Sequence, residues 1–325
     1  MIHKKEAKEW AREKLKGLFT SPMIPFTQDF KLDEAGIRTN VERMLEVKAS
    51  GLGFGFSEPW VLSMDERKRA MEVAIDAARK RVVAYAHTTD HSVEETINLT
   101  KHAQAVGADA VMIWIPYEWA KSQDMICEYY EYVASKVDIA IFAYNTYHAG
   151  IAFTPETVAR LAKIPNICAL KNAINDVSHT LRCVELCGDK IVVSSSNEEF
   201  LLPMTQYFNQ QVMLGTTSVF LMQSKHYQPI QEYWELAKQG KNVEAAKKYY
   251  ELQPLREVWQ TMYRVLRDKH AAIHPLPQIK YWMDLIGMAG GPVRPPMHQI
   301  TDEQKASLKA RIYASDWMSR LYPGK

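Results

Sequence analysis

Eight short apolar runs recur along this chain, and seven of them are separated from the next by a segment of helical period. The runs are "LFTSPM" near residue 18, "GLGFGF" from Gly51, "VVAYAH" from Val82 and "AVMIWI" from Ala110. "IAIFAY" from Ile139, "ICALK" from Ile167, "IVVSSS" from Ile191 and "VMLGTT" from Val212 complete the set. Most are continuous rather than alternating, as strands covered on both faces of a parallel sheet must be. Between them, Ile37, Val41, Met44, Leu45 and Lys48 keep the helical period, with Gly51 closing that helix. Ser63 with Glu66, and Ser92 with Glu95, fit capping boxes. Thr154 followed by Pro155 is an N-cap with proline at the first helical position, and Gly188 stands at the C′ position of the next helix. The pattern predicts an α/β fold, a (β/α)8 TIM barrel with a C-terminal helical extension. A doubly wound open sheet is the rival, but no GxGxxG marks a strand-to-helix turn. The expected division is an N-terminal helix over residues 1–16, the barrel over 17–235 and a C-terminal helical region over 236–325.

A chain of 325 residues is long enough for such a barrel plus a helical addition. Apolar residues make up 47% and charged residues 24%, a balance that excludes a disordered chain. The formal charge of +2 creates no field to gather nucleic acid or anionic lipid. No apolar run reaches the ~18 residues a membrane-spanning helix needs. The first segment, "MIHKKEAKEWAREKLKG", is charged throughout and reads as an amphipathic helix, not a signal peptide. The four cysteines form no CxxC pair. Cys183 and Cys187 sit four apart in a helix and read as buried packing in preference to a metal site. Reduced thiols in a cytoplasmic setting are the expectation.

In a barrel of this kind the active site lies at the C-terminal ends of the strands. Lys171 ends the "ICALK" run, and its neighbours are almost wholly apolar. Desolvation disfavours the ammonium form, lowers the pKa and frees the amine to attack a carbonyl. The protonated imine that results draws in electrons and stabilises a carbanion on the adjacent carbon. Tyr144 ends the preceding strand, and neighbouring strands lie roughly 5 Å apart, so its phenol can serve the same carbonyl oxygen. The plainer readings are a lysine that extends to solvent or pairs with a carboxylate, and a core tyrosine with its hydroxyl satisfied.

The spacing of "AYN" (residues 143–145) and "ICALKNA" resembles the dihydrodipicolinate synthase / N-acetylneuraminate lyase family of class I Schiff-base aldolases. There a tyrosine ends strand five in a Tyr-Asn motif and the imine-forming lysine ends strand six. The resemblance extends through "SMDERKR", "SVEETINLTKHAQAVGADAVM", "FTPETVARLAKIPNI" and "HPLPQIKYWMDLIGMAGGPVRPPMHQIT", covering most of residues 17–310 in order. It implies Lys171 and Tyr144 as catalytic residues. It also implies chemistry without metal or organic cofactor, and a homotetramer or dimer with contacts near the strand-four loop.

The departures matter as much. The family signature Gly-Thr-Thr-Gly-Glu falls on "FGFSE", residues 54–58. Glu58 is kept, but Gly55 and Phe56 replace the two threonines that bind the 2-oxo acid carboxylate and relay protons. Ala149 stands where an arginine is expected, and Glu118 aligns with a second relay tyrosine, next to Tyr117. These losses argue against the lysine-biosynthetic synthase activity. Phe56, Trp60, Trp114 and Trp119 would make the site unusually aromatic, suiting a bulky or aromatic substrate. The alternative for these rings is core packing or subunit contact. The substrate-binding candidates are Phe56, Ser57, Glu118, Ser195, Ser196 and Leu214, with His87 and His148 as lesser ones. The aromatic loops and the "GPVRPP" tail are similar to the hydratase-aldolase branch, although that branch usually keeps a threonine at the position of Gly55. The leading expectation is a Schiff-base lyase acting on a pyruvate-derived 2-oxo acid. The alternatives are a sugar-acid dehydratase using the same imine and a non-catalytic binding paralogue.

Overall fold

The computed structural model describes residues 2–55, 58–78, 80–116, 120–215, 217–264, 274–314 and 316–323. The first helix, α1 (Ala7–Lys14), leads into β1 (Gly17–Thr20) and α2 (Glu34–Glu46). There follow β2 (Gly51–Phe54), α3 (Met64–Ala78), β3 (Val83–His87), α4 (Val93–Ala105), β4 (Ala110–Ile113) and α5 (Gln123–Lys136). The second half of the barrel is β5 (Ala140–Asn145), α6 (Pro155–Leu161), β6 (Ile167–Asn172), α7 (Val177–Cys187), β7 (Val192–Ser195), α8 (Glu198–Phe208) and β8 (Val212–Leu214). Among the described residues, seven helices come after it: α9 (Ser218–Leu221), α10 (Pro229–Lys238), α11 (Asn242–Glu251), α12 (Gln253–Arg264), α13 (Leu276–Leu285), α14 (Asp302–Tyr313) and α15 (Trp317–Leu321). All eight apolar runs became strands, most trimmed at their ends, with β1 starting one residue earlier and β5 and β6 ending one residue later than the runs.

Local signals acted mostly where the sequence puts them. Ser63 and Glu66 form a reciprocal capping box, with N–H donors bonded at 3.0 and 3.2 Å. At the next one only half forms. Ser92 Oγ accepts from Glu95 N–H, but the Ser92 N–H donates to Asp90. Thr154 caps α6 as expected. Two glycine expectations are corrected. Gly51 does not close α2 but opens β2, and the chain leaves the helix through Lys48 at φ 56°. Gly188 follows α7 at φ −63°, so it is no left-handed cap; an added Cβ would meet Val184 O at 2.7 Å.

The strands pair in parallel in the order β7-β6-β5-β4-β3-β2-β1-β8. Alternation sends Leu18, Leu52, Val111 and Leu170 outward to the helices, and Phe19, Tyr85, Met112 and Phe142 into the barrel interior. Between β7 and β8, where no ladder forms among the described residues, side chains stitch the seam. Leu214 N–H donates to Ser194 Oγ at 2.9 Å. The Gln210 amide imitates a strand: its Oε1 accepts from Ser195 N–H at 2.9 Å and its Nε2 donates to Ser195 O at 3.1 Å. The strands thus form a nearly closed (β/α)8 TIM barrel.

The barrel floor is closed by α1, whose Ala7 and Ala11, with Leu15 beyond, form one fully buried stripe. Trp10 stacks on Phe142, Lys8 Nζ donates to Ala162 O at 2.6 Å, and Gln211 Nε2 donates to Leu15 O at the end of the helix at 2.8 Å. On the inner face of β2, Gly51 leaves room for the Phe19 ring, which an added Cβ would overlap. Gly51→Ala is therefore expected to lower unfolding stability by about 1–3 kcal/mol, the usual range for overpacking. Urea denaturation of the two proteins checks it.

Candidate active site

An irregularity in β6 places the two central side chains. Ile141 pairs with Ile167, but Phe142 pairs with Ala169, so Cys168 is an extra residue in the ladder. Without that bulge Tyr144 would face Leu170, which points to the helices. With it, Tyr144 stands directly across from Lys171, and both point into the barrel mouth. Asn145 and Asn172, the next residues, point outward and lock the two strand ends. Asn145 Nδ2 donates to Asn172 Oδ1 at 3.0 Å, and Asn172 Nδ2 donates to Thr180 Oγ1 at 2.9 Å. Asn145 also accepts from Phe153 N–H at 2.8 Å, which pins the loop that follows β5.

Lys171 is 1% exposed. Its Nζ donates to Gly215 O at 3.4 Å, just past β8, and sits 4.6 Å from the centroid of the Tyr144 ring. Burial alone brings its pKa down from the ordinary 10.5 to about 7. Near neutrality a large share of the amine is therefore unprotonated and nucleophilic. Burial pushes the Tyr144 phenol up to about 12, opposed in part by a hydrogen bond with the Thr146 side chain. Tyr144 is thus a proton donor at physiological pH, not a resident base.

Trp114 lies against the Tyr144 ring, centroids 5.4 Å apart, and meets His87 edge-on at 4.6 Å. Burial holds His87 down at about 3, so its imidazole is neutral; its Nδ1 lies 3.2 Å from Gly55 O. Beyond Trp114 opens a cavity of about 190 Å³ walled by Trp60, Arg67, Asp90, His148 and Ala149 among others. Arg67 is held there by Asp90 Oδ2 and Thr89 O, both at 2.8 Å. Ala149, where the family resemblance leads one to expect arginine, is part of that wall.

The remaining expected site residues fall differently. Leu214 faces the interior beside the seam. Ser195 does not: its register partner is the outward-pointing Asn172, and its buried Oγ has no hydrogen-bond partner among the described residues. Ser196 prolongs the ladder, its N–H donating to Asn172 O at 3.0 Å. Phe56, Ser57 and Glu118, with Tyr117 and Trp119, lie outside the described residues. Trp60 is 58% exposed at the rim, edge-on to His274. Cys183 and Cys187 are fully buried in α7, and burial raises both thiols.

Two features escaped sequence reasoning. Glu58, at φ 61°, is buried with its carboxylate 2.9 Å from Lys280 Nζ of α13. Burial raises the one and lowers the other, since a dry setting disfavours both charges. Second, α12 crosses to the barrel mouth. Trp259 Nε1 donates to Thr217 Oγ1 at 2.8 Å, and Tyr263 Oη lies 2.9 Å from the same oxygen. The spacing of Arg256, Trp259 and Tyr263 along one helix face was the available signal, hidden in a segment read only as a C-terminal helical region.

Residues 14–315 match the model of the dihydrodipicolinate synthetase family. The 4-hydroxy-tetrahydrodipicolinate synthase of Methanothrix thermoacetophila is 32% identical over 299 residues, 90% of this chain and 95% of the relative. The enzyme of the same name from Methanopyrus kandleri is 29% identical over 303 residues, 92% and 95% of the two chains. Among solved structures, a prophage protein of the dihydrodipicolinic acid synthase family from Escherichia coli, in complex with pyruvate, is 26% identical. It superposes with a TM-score of 0.78 over 91% of this chain and 96% of its own. The chain belongs to the dihydrodipicolinate synthetase family of class I aldolase-type lyases.

Proposed function

We propose that the protein is a Schiff-base lyase acting on a pyruvate-derived 2-oxo acid that carries a bulky or aromatic substituent. The observation that supports this best is the buried amine of Lys171, brought to about 7 and set across from the Tyr144 phenol. In this reading Nζ attacks the C2 carbonyl. Tyr144 protonates the oxygen, water leaves, and a protonated imine remains. In the cleavage direction the C3–C4 bond breaks with its electron pair moving into the enamine, while the C4 hydroxyl proton passes to the Tyr144 oxygen. Protonation at C3 and hydrolysis release pyruvate and an aldehyde.

The substituent reading rests on the cavity beyond Trp114. An alanine at position 149 leaves it open, and Trp60 and Trp114 offer flat apolar walls. Curated relatives carry the name 4-hydroxy-tetrahydrodipicolinate synthase. With Gly55 and Ala149 in place of the expected threonine and arginine, this enzyme is expected to form little of that product. Thr89 and Asp90 on the same cavity wall favour a second reading, a sugar-acid dehydratase using the same imine. Product analysis separates the two: an aldehyde plus pyruvate, against water loss with the carbon chain intact.

Borohydride reduction in the presence of pyruvate, read by intact mass and peptide mapping, tests the imine. A single adduct on Lys171 is expected, absent in Lys171→Ala. Because the neutral amine is the nucleophile, the trapping rate should rise with pH through about 7 and then level off. No adduct with pyruvate or with any bulkier 2-oxo acid overturns the reading.

A further inference from the structure

The helix α12 is anchored over the end of the barrel by a buried ion pair. Arg256 Nε and one terminal nitrogen donate to the two Glu198 oxygens at 2.8 and 2.9 Å, and Glu198 opens α8 directly after β7. One turn on, Trp259 donates to Thr217 Oγ1. One further turn on, Tyr263 packs against Trp259 with ring centroids 4.3 Å apart and brings its hydroxyl to the same threonine oxygen. Thr217 is two residues past Gly215, whose carbonyl receives the Lys171 amine. The Tyr263 hydroxyl is also close enough that its charge would be felt by the Tyr144 phenol. Two phenols, one from β5 and one from α12, therefore converge on the region around Nζ.

The chemistry needs such a second group. Negative charge gathers on the C2 oxygen as Nζ adds to the carbonyl and again as the C–O bond breaks, and a second donor beside Tyr144 stabilises that charge. With Trp259 donating to Thr217 Oγ1, the threonine's own hydrogen can go to Tyr263 Oη, so that the Tyr263 hydroxyl accepts there and keeps its own hydrogen for donation.

We propose that Tyr263 is a catalytic residue of this site: its hydroxyl donates to the substrate oxygen that Tyr144 protonates. The inference rests on the imine reading above. In carbinolamine collapse the Tyr144 O–H bond breaks and a new O–H bond forms on the C2 oxygen. That oxygen leaves as water with the C–O electron pair, and the nitrogen lone pair completes C=N. Tyr263 keeps its own proton and holds the departing oxygen. The C-terminal region is thereby part of the reaction centre, not only a cover on the barrel.

The test follows adduct formation with time, quenching enzyme and pyruvate with borohydride and reading intact mass. Tyr263→Phe keeps the ring against Trp259 and removes only the hydroxyl. Its maximal rate is expected to fall ~100-fold, the lower end for losing one hydrogen-bond donor to a developing charge. The pyruvate concentration for half-maximal rate and the melting temperature should stay near those of the wild type. Thr217→Val should slow the same step, and Thr217→Ser should recover most of it. Those rates hold the hydroxyl responsible even if Tyr263→Phe folds poorly. Wild-type trapping with equally fast trapping in Tyr263→Phe and Thr217→Val overturns this proposal and leaves the imine reading standing. A wild type that traps nothing overturns both.

Discussion

Lys171→Met is expected to abolish borohydride trapping and, in the same protein, to raise stability. The sign follows from linkage. A lysine whose folded pKa lies below its unfolded value binds fewer protons when folded, so folding works against it at any pH below the unfolded pKa. With Lys171 at about 7 against an ordinary 10.5, the penalty at pH 7 is on the order of 4 kcal/mol. It shrinks as pH rises through the window between those values, to about 1 kcal/mol at pH 10. Methionine has similar length and no charge to desolvate, so it fills the same space without that penalty. Urea denaturation at both pH values checks the prediction. A variant no more stable than wild type at pH 7 would mean the amine is better solvated than its burial indicates. A gain that persists at pH 10 would point to packing instead of charge.

The second large effect is expected at the clamp on α12. Arg256 and Glu198 are each 2% exposed, and the guanidinium also donates to Tyr249 O at 3.1 Å. Arg256→Met leaves the Glu198 carboxylate buried with, among the described residues, only the Tyr233 hydroxyl, 2.8 Å away, to face it. Removing one partner of such a pair costs about 3–5 kcal/mol, because the other charge is stranded. The double variant Glu198→Gln with Arg256→Met should regain much of the loss, since no buried charge remains. Chemical denaturation of the two single variants and the double variant measures the coupling. A loss under 1 kcal/mol in Arg256→Met would show that water reaches the carboxylate. The trapping rate of Arg256→Met should fall as well, because the same helix face carries Trp259 and Tyr263.

Where sequence reasoning succeeded, it did so through patterns local to one segment. Continuous apolar runs located all eight strands, and Ser63, Glu66, Thr154 and Pro155 marked helix starts by chemistry that acts over three or four residues. It failed where the outcome depended on a neighbour from elsewhere. Glu95 fits a capping box, but Asp90 takes the backbone donor that Glu95 would have needed. Ser195 ends a strand and was placed in the site. Only its pairing with Asn172 shows that its side chain faces the helices. Gly51 looks like a helix stop because glycine serves both there and under an aromatic ring, and the ring is Phe19, from another strand.

The order of strands and helices, the barrel they close and a lysine at the end of strand six were all determined by the sequence alone. Each depends on which face of a short segment is apolar, and that is written in consecutive residues. Tertiary structure decided the rest of the site. The extra residue Cys168 shifts the β5–β6 register and sets Tyr144 opposite Lys171. Side chains of Ser194 and Gln210 bridge β7 and β8, between which the described residues form no ladder. Glu198 and Arg256, 58 residues apart, bring Tyr263 over the barrel mouth. Register, seam and crossing each depend on hydrogen bonds between segments distant in the chain. No periodicity within one segment records which partner the fold will bring to it.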